Sequence, residues 1–338
     1  MNSELSNNYD NKKESIVIDG ASGYVGSHIA SELSKLNFSL RCIVRSKVSE
    51  VDVQILENIG AQVYKADLGA PSSQTKLNEA FSGASTAIHT IGSVAPPKGE
   101  TLNDLHVRQT ASFVECCRRN HVRKIIMISS LGTRAQASAI YHKTKWLAEE
   151  IIRKSEIPFL ILRPALIVGR IFGRRNSKLV DRYFKLIRDK QTVPLIAGGG
   201  NLVQPIFIAD VVKAVLAGIA HSVEDKSIFG QSLDIGGPEQ ITMRNFVERM
   251  AIEVCGEKRN FRSISPLAAQ MAAFFCEMVQ DVPLISLDQV KLSAENNICH
   301  DNALESVLKV SPMSLSSAFA SYIVHPINAQ FDTPLKVS

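Results

Sequence analysis

Between residues 15 and 164, short apolar runs alternate with stretches whose apolar positions recur at helical spacing. The runs are "SIVID" (15–19), "SLRCIVR" (39–45), "AQVYKAD" (61–67), "STAIHTIG" (85–92), "KIIMISS" (124–130) and "PFLILRP" (158–164). Their length and β-branched content predict strands. Because they lack a polar face, they predict strands buried on both sides, and the repeated strand–helix–strand order predicts a parallel sheet covered by helices. The expected fold class is α/β, a doubly wound parallel sheet with a small, mostly helical C-terminal lobe. After about residue 165 the rhythm loosens. "GRRNSK" (173–178) and "AGGGN" (197–201) read as loops, "QSLDIGG" (231–237) as a last strand, and the remainder as mostly helical. The chain is thus expected to divide into a leader over 1–14, a main domain over 15–237 with lobe insertions from about residue 170, and a C-terminal helical lobe and tail over 238–338.

Composition narrows the partners. With 338 residues, 45% hydrophobic and 21% charged, the chain is long enough for one large domain with a smaller lobe and is neither fibrous nor low in apolar content. The net charge of +5 is spread along the chain and calls for no nucleic acid. Six cysteines (Cys42, Cys116, Cys117, Cys255, Cys276, Cys299) form neither CxxC pairs nor a close-spaced framework. That fits reduced thiols in a cytoplasmic setting and no metal site. The opening "MNSELSNNYDNKKE" has mixed charge and no apolar or Arg-rich amphipathic core, so it reads as a disordered leader and not as a targeting signal. The run over 264–280 is apolar but short, and Gln270 and Glu277 interrupt it, so it predicts a core or partner helix and no membrane span. A membrane-surface or subunit contact through this C-terminal lobe is the alternative.

The first chemical signal is "IVIDGASGYVGSHIASEL" (16–33), where Gly20, Gly23 and Gly26 follow the first strand as GxxGxxG. The early glycines permit a tight turn and close approach of a pyrophosphate to backbone N–H groups, and the last lets the helix lie against the sheet. The phosphates would sit over Ser22 and Gly23 at the helix start near Tyr24 and Val25. The second strand ends at Arg45, where NAD-preferring folds commonly carry an acidic residue for the ribose hydroxyls. An arginine there pairs with a 2′-phosphate, so NADP(H) is expected over NAD(H). A solvated arginine at a strand end is the plain alternative.

These motifs resemble the short-chain dehydrogenase/reductase superfamily, in its extended and atypical branch, over roughly residues 15–237. The resemblance implies a Rossmann fold and an NAD(P)-binding main domain. "KADL" resembles the family's adenine-side Asp-Leu, which implies Asp67 and Leu68 beside the base. "IHTIG" lies where the family lines the nicotinamide-side ribose, implying His89, Thr90, Ile91 and Gly92. "MISSLG" followed by "YHKTK" resembles the catalytic Ser and YxxxK pair, and "LRPALIVG" the turn under the nicotinamide, implying Pro164 and Ala165. Ser130 is the expected carbonyl-polarising donor, with Ser129 its neighbour and Leu131 occupying the position that some relatives use.

Tyr141 and Lys145 stand four apart and share a helix face, so an ammonium beside the phenol would lower the tyrosine's pKa and fit it for proton transfer while Lys145 also bonds the ribose. A basic, exposed helix start is the non-catalytic alternative. His106 replaces the asparagine usual in extended enzymes. It reads either as a proton relay or as a hydrogen-bonded core histidine. Ten residues separate Ser130 from Tyr141, a short loop that disfavours a sugar-nucleotide epimerase or dehydratase.

Within the superfamily, "ISSLGT", "YHKTKWLAEE", "DIGGPEQITMRNFVERM" and "PLISLDQVKL" are most similar to the group that includes the dinucleotide-binding accessory subunit of respiratory complex I. Two functions follow. One is an NADP(H)-dependent oxidoreductase that uses Ser130, Tyr141 and Lys145 on a small carbonyl or hydroxyl substrate. The other is a non-catalytic NADPH-binding accessory or assembly protein, peripheral on the inner membrane face.

Overall fold

The alternation of apolar runs and helical stretches becomes a seven-stranded sheet. The computed structural model describes residues 14–36, 38–94, 96, 99–279 and 286–324; the expected leader lies outside them up to residue 13, and so does the tail from 325. The first half runs β1 (Ser15–Ile18), α1 (Tyr24–Lys35), β2 (Ser39–Val44), α2 (Glu50–Glu57), β3 (Gln62–Lys65), α3 (Gln74–Phe81), β4 (Thr86–His89), α4 (Gln109–Arg119), β5 (Lys124–Ile128), α5 (Ile140–Arg153) and β6 (Phe159–Pro164). The second runs β7 (Ile167–Val168), α6 (Lys178–Asp189), β8 (Thr192–Ile196), β9 (Leu202–Val203), β10 (Ile206–Phe207), α7 (Ile208–Ala220), β11 (Gln231–Ile235), β12 (Ile241–Thr242), α8 (Met243–Glu253), β13 (Asn260–Ile264), α9 (Pro266–Val279), α10 (Leu287–Ala294), α11 (Ala303–Ser306) and α12 (Leu315–Val324).

The strand order is β11-β6-β5-β4-β1-β2-β3, with every neighbouring pair parallel. The chain order reverses between β1 and β4, which opens a crevice at the strands' C-terminal ends. Successive side chains of one strand enter different cores. Ile16 and Ile18 pack on the α1 and α7 side, whereas Val17 packs with Phe81, Phe113 and Ile152 on the other. Both faces are dry, so no strand needs a polar side.

The lobe beyond the sheet is woven from two stretches of chain. β13 pairs in parallel with β8, and β12 antiparallel with β9. The C-terminal segment, expected to be mostly helical, therefore contributes strands too, because the edges of β8 and β9 need partners for their backbone groups. α12 is fastened to the turn after β7: Tyr322 Oη accepts from Gly169 N–H at 2.6 Å, and Ser321 Oγ from Arg170 N–H at 2.8 Å. On α9, Ala269 and Ala273 pack against Val290, Ile264 and Ile196. Its other face leaves Leu267, Met271, Phe274 and Phe275 each more than half exposed. Among the described residues no helix is long and apolar enough to cross a membrane.

One buried carboxylate ties the sheet to α5. Glu149 has no exposed surface and accepts from Ser129 Oγ (2.6 Å), Arg153 Nη2 (2.6 Å), and Arg163 Nε and Nη2 (2.8 and 2.6 Å). Removing it strands two partly covered guanidiniums and a buried hydroxyl. Glu149→Ala is therefore expected to lower unfolding free energy by on the order of 3 kcal/mol. Urea denaturation checks this, and a loss within experimental scatter would refute it.

Candidate active site and nucleotide cleft

The glycine turn is shaped by close contacts that only hydrogen permits. Gly20 has φ +59°, and a Cβ there would fall 2.8 Å from Thr90 Oγ1. A Cβ on Gly26 would fall 2.4 Å from Gly20 O, and one on Gly23 2.9 Å from the same oxygen. Gly23 N–H closes the turn onto Gly20 O at 2.8 Å. α1 thus starts hard against the ends of β1 and β4. No side chain caps its N-terminus and no acidic residue lies in its first turn, so the helix presents N–H groups and a positive dipole end to the crevice. Ser22, Gly23, Tyr24 and Val25 all line that crevice.

A buried network stabilises the turn. Asp19 accepts Thr90 N–H at 2.7 Å and pairs with His89 Nδ1, while Thr90 Oγ1 donates to Asp19 O at 2.6 Å. His89 Nε2 meets Thr110 Oγ1 at 2.8 Å. Sequence reading missed Asp19 and grouped His89 with the residues lining the ribose, whereas its ring is buried between Asp19 and Thr110, because an acid and a histidine 70 positions apart form no local motif. The one available sign was an aspartate ending an otherwise apolar strand.

Across the crevice, β5 and α5 bring Ser130, Tyr141 and Lys145 together. Burial raises the Tyr141 phenol above its ordinary value, and a hydrogen bond with Ser130 offsets this in part. Lys145 is buried and donates to Ile91 O and Ile128 O, each at 3.0 Å. Burial lowers its pKa to about 8, against the opposing pull of Glu149 and Asp19. The expected lowering of the tyrosine pKa by Lys145 is therefore not seen. The ammonium is drawn toward two carbonyls, and desolvation governs the phenol. Gly92 permits this arrangement, because a Cβ there would lie 2.7 Å from Lys145 Nζ.

Neighbouring residues sort themselves by their partners. Ser129 is committed to Glu149, and Leu131 packs with Ala165 and Cys299, which leaves Ser130 as the serine at the tyrosine. His106 lies in a π-helical turn (Asp104–Arg108) just before α4, a distortion that often marks functional sites. Its Nδ1 donates to Thr144 Oγ1 at 2.8 Å, its Nε2 accepts from Ser93 N–H at 3.4 Å, and its ring meets Tyr141 edge-on at 5.4 Å. Burial, then Lys145 and His89, push its pKa down to about 2. It is a neutral, hydrogen-bonded wall behind the tyrosine and takes up no second proton at working pH.

At the adenine end, Arg45 and Lys47 stand beyond β2 and Asp67 beyond β3, with Asp67 Oδ1 accepting Ser46 N–H at 3.0 Å. The "GRRNSK" loop folds over this end. Arg174 Nε and Arg175 Nη2 reach Asp52 on α2 at 2.7 and 2.6 Å. Burial opposes ionisation of Asp52, but hydrogen bonds from Arg174, Arg175 and Ser49 outweigh it and hold the carboxyl below its ordinary range. Lys178 Nζ reaches Ser93 Oγ at 3.0 Å, and burial together with Arg45 and Arg175 lowers its pKa. A charge run read as a loop is thus a cationic strap across the crevice.

The C-terminal lobe fixes the start of α5. Asp288 accepts Ile140 N–H at 2.6 Å and Tyr141 N–H at 2.9 Å, and Glu295 accepts from Ser138 Oγ (2.6 Å) and Arg134 Nη2 (3.0 Å). The helix carrying Tyr141 has no side-chain cap on its own N-cap residue, Ala139. Asp288 supplies one from 147 residues away, which no local pattern announces.

The crevice and the lobe enclose one cleft of about 1770 Å³. Gly20, Gly26, Leu68, Thr90, Ile91, Gly92, Pro164 and Ala165 line it together with Ser130, Tyr141, Arg45 and Asp67, while Lys145 lies behind Ile91 and Gly92. A dinucleotide fits these residues: a backbone cradle with no room for side chains, an uncapped helix start, and cations beyond β2.

Comparison with known proteins agrees. A family model described as NAD(P)H-binding matches residues 20–175. Subunit 9 of the mitochondrial NADH dehydrogenase [ubiquinone] 1 alpha subcomplex of Arabidopsis thaliana is 24% identical over 297 residues, covering 85% of this chain and 71% of that protein. The decarboxylating sterol-4-alpha-carboxylate 3-dehydrogenase of Mus musculus is 27% identical over 268 residues, covering 73% and 70%. UDP-glucuronic acid 4-epimerase from Bacillus cereus, solved with UDP-glucuronic acid and NAD, superposes with TM-score 0.67 at 18% identity, covering 91% and 97%, which speaks to fold alone. With its parallel sheet and its glycine turn, the chain carries an NAD(P)H-binding match over residues 20–175, is similar to the NADH dehydrogenase subunit and the sterol dehydrogenase, and shares the fold of the epimerase.

Proposed function

We propose that the protein is an NADP(H)-dependent oxidoreductase that interconverts a carbonyl and a hydroxyl through Ser130, Tyr141 and Lys145. The observation that carries this reading is that Ser130 and Tyr141 line the same cleft as the glycine turn, with Lys145 anchored just behind Ile91 and Gly92. Bound NADPH would supply the hydride that reaches the carbonyl carbon. Ser130 Oγ and Tyr141 Oη would converge on the carbonyl oxygen, polarise it, and Tyr141 would deliver the proton that completes the alcohol. A phenol held above its ordinary pKa stays protonated at neutral pH, which suits a proton donor in the reductive direction. Lys145, anchored on Ile91 O and Ile128 O, has a third N–H for a ribose hydroxyl. The sterol dehydrogenase relative is a precedent for such redox chemistry.

Cofactor choice rests on Arg45 at the end of β2, near enough to Lys178, itself beside Arg175, to share their positive charge. A charge-assisted partner for a 2′-phosphate is worth roughly 1.5 to 3 kcal/mol.

A second reading is favoured by the apolar face of α9 and by the complex I subunit relative: an accessory protein in which bound nucleotide stabilises a surface presented to a membrane assembly. In that case the nucleotide would contribute by mass action and need no turnover.

Three outcomes test these readings. NADPH should bind on the order of tenfold or more tightly than NADH, and Arg45→Ala should erase the difference in calorimetric titration; equal affinities in the native protein would refute the NADP(H) assignment. Tyr141→Phe should keep nucleotide affinity while turnover of a carbonyl substrate falls by on the order of 10² to 10⁴. A cellular defect of the deletion fully rescued by Tyr141→Phe would instead support the accessory role. Lys145 should also impose a pH limit. Its pKa in the folded protein is about 8, below the ordinary 10.5, so the ammonium is present below about pH 8 and lost above it. Nucleotide affinity of the free protein should therefore decline as pH rises through about 8, and Lys145→Met should flatten that profile. The same shift has the opposite sign for stability. Between about 8 and 10.5 the unfolded chain binds the extra proton, so this group's contribution grows with pH across that window.

A further inference from the structure

The cleft has two chemically different halves. The half over β1, β2 and the strap carries Arg45, Lys47, Arg174, Arg175 and Lys178 beside the glycine turn. The other half lies between α6, β8 and α10 and is walled by Leu179, Tyr183, Leu186, Leu195, Ile196 and Leu292. Polar residues also reach this second half, Arg182 of α6 among them, but those on the α10 side are held by protein partners. Asn297 Oδ1 accepts Leu166 N–H and Asn296 Oδ1 accepts Leu202 N–H, each at 2.8 Å. Glu295 is held by Ser138 and Arg134, and Gln289 Oε1 accepts Ser286 N–H at 3.3 Å in its own capping box. A polyhydroxylated substrate needs polar groups that face it, because each hydroxyl buried without a partner costs binding energy. Ser130 and Tyr141 offer such a pair at one point, and Arg182 adds a single cation on α6.

Size points the same way. The whole cleft, at about 1770 Å³, exceeds the 300–1,000 Å³ usual for a single small-molecule site, so a second large molecule fits beside a dinucleotide. The small carbonyl compound expected from sequence would leave much of the apolar half unfilled.

We infer that the site takes a ketone or alcohol with a long apolar body, whose single oxygen meets Ser130 and Tyr141 while its hydrocarbon lies between α6, β8 and α10. The redox chemistry in this inference rests on the proposed oxidoreductase function; the apolar occupant rests on the cleft wall alone. Hydrocarbon buried against these side chains is released from water, and each added methylene strengthens binding by about three- to fourfold until the channel is full.

The test uses the full chain with NADPH and the methyl ketones from 2-butanone to 2-undecanone, measuring turnover and, by equilibrium dialysis, binding. Dissociation constants should fall steeply along the series, and kcat/KM should rise with them. Leu186→Gln and Leu292→Gln, on separate helices, should each weaken 2-undecanone binding by about tenfold. Retained NADPH affinity would show that both variants are folded. Binding of 2-undecanone by the native protein and by Tyr141→Phe, with turnover in neither, would uphold the apolar cleft and defeat the oxidoreductase reading. Equal affinities for 2-butanone and 2-undecanone, or UDP-glucose binding more tightly than 2-undecanone, would overturn the inference.

Discussion

Lys145 and Glu149 stand four residues apart on α5 and are both shut away from water, and most of the site's geometry follows from satisfying them. A buried charge without partners is too costly to persist. Lys145 finds the carbonyls of Ile91 and Ile128, at the ends of β4 and β5, and Glu149 finds Ser129, Arg153 and Arg163. These bonds set the rotation of α5 about its axis and its height over the sheet. Tyr141, one turn earlier on the same face, is thereby placed against Ser130. The two serines are divided between roles by the same constraint, since the one that faces Glu149 is spent on structure.

A second set of close contacts fixes the nucleotide side. Gly20, Gly23 and Gly26 allow α1 to start within van der Waals reach of the β4 end, and the buried Asp19–His89 pair holds that end in place. The uncapped helix start and the wall that carries Ser130 and Tyr141 thus face one cleft. The fold lends itself to either function, turnover or nucleotide-dependent stability, because both require the same rigid cradle. Only the hydroxyl pair at Ser130 and Tyr141 distinguishes them chemically.

The lobe contributes less by packing than by reaching back. Asp288 caps the helix that carries Tyr141, Glu295 holds the loop before it, and Arg174 and Arg175 cross to Asp52. An occupant of the apolar half would touch α10 at Leu292, one helical turn from that cap. Filling the cleft and ordering the start of α5 are therefore coupled through a single short helix.

Much of this was legible in the sequence, for a physical reason. The six apolar runs appear as strands because a strand buried on both faces must be apolar throughout, and that property is local. The glycine spacing and the four-residue step from Tyr141 to Lys145 are also local, because turn sterics and helix periodicity act over a few residues. What the sequence left undecided depends on residues far apart in the chain. The tyrosine was expected to be acidified by its lysine, but the fold spends the lysine on two carbonyls and lets desolvation raise the phenol. His106 was open between relay and core, and its burial beside Lys145 made it neutral. Asp288, Glu295, Asp52 and Asp19 carry no motif, since a carboxylate's role is set by whichever N–H, hydroxyl or guanidinium arrives from 70 to 161 positions away. Short-range geometry was written in the sequence itself. Solvation and charge pairing were decided only by the tertiary structure, because both depend on what the rest of the chain brings within a few ångströms.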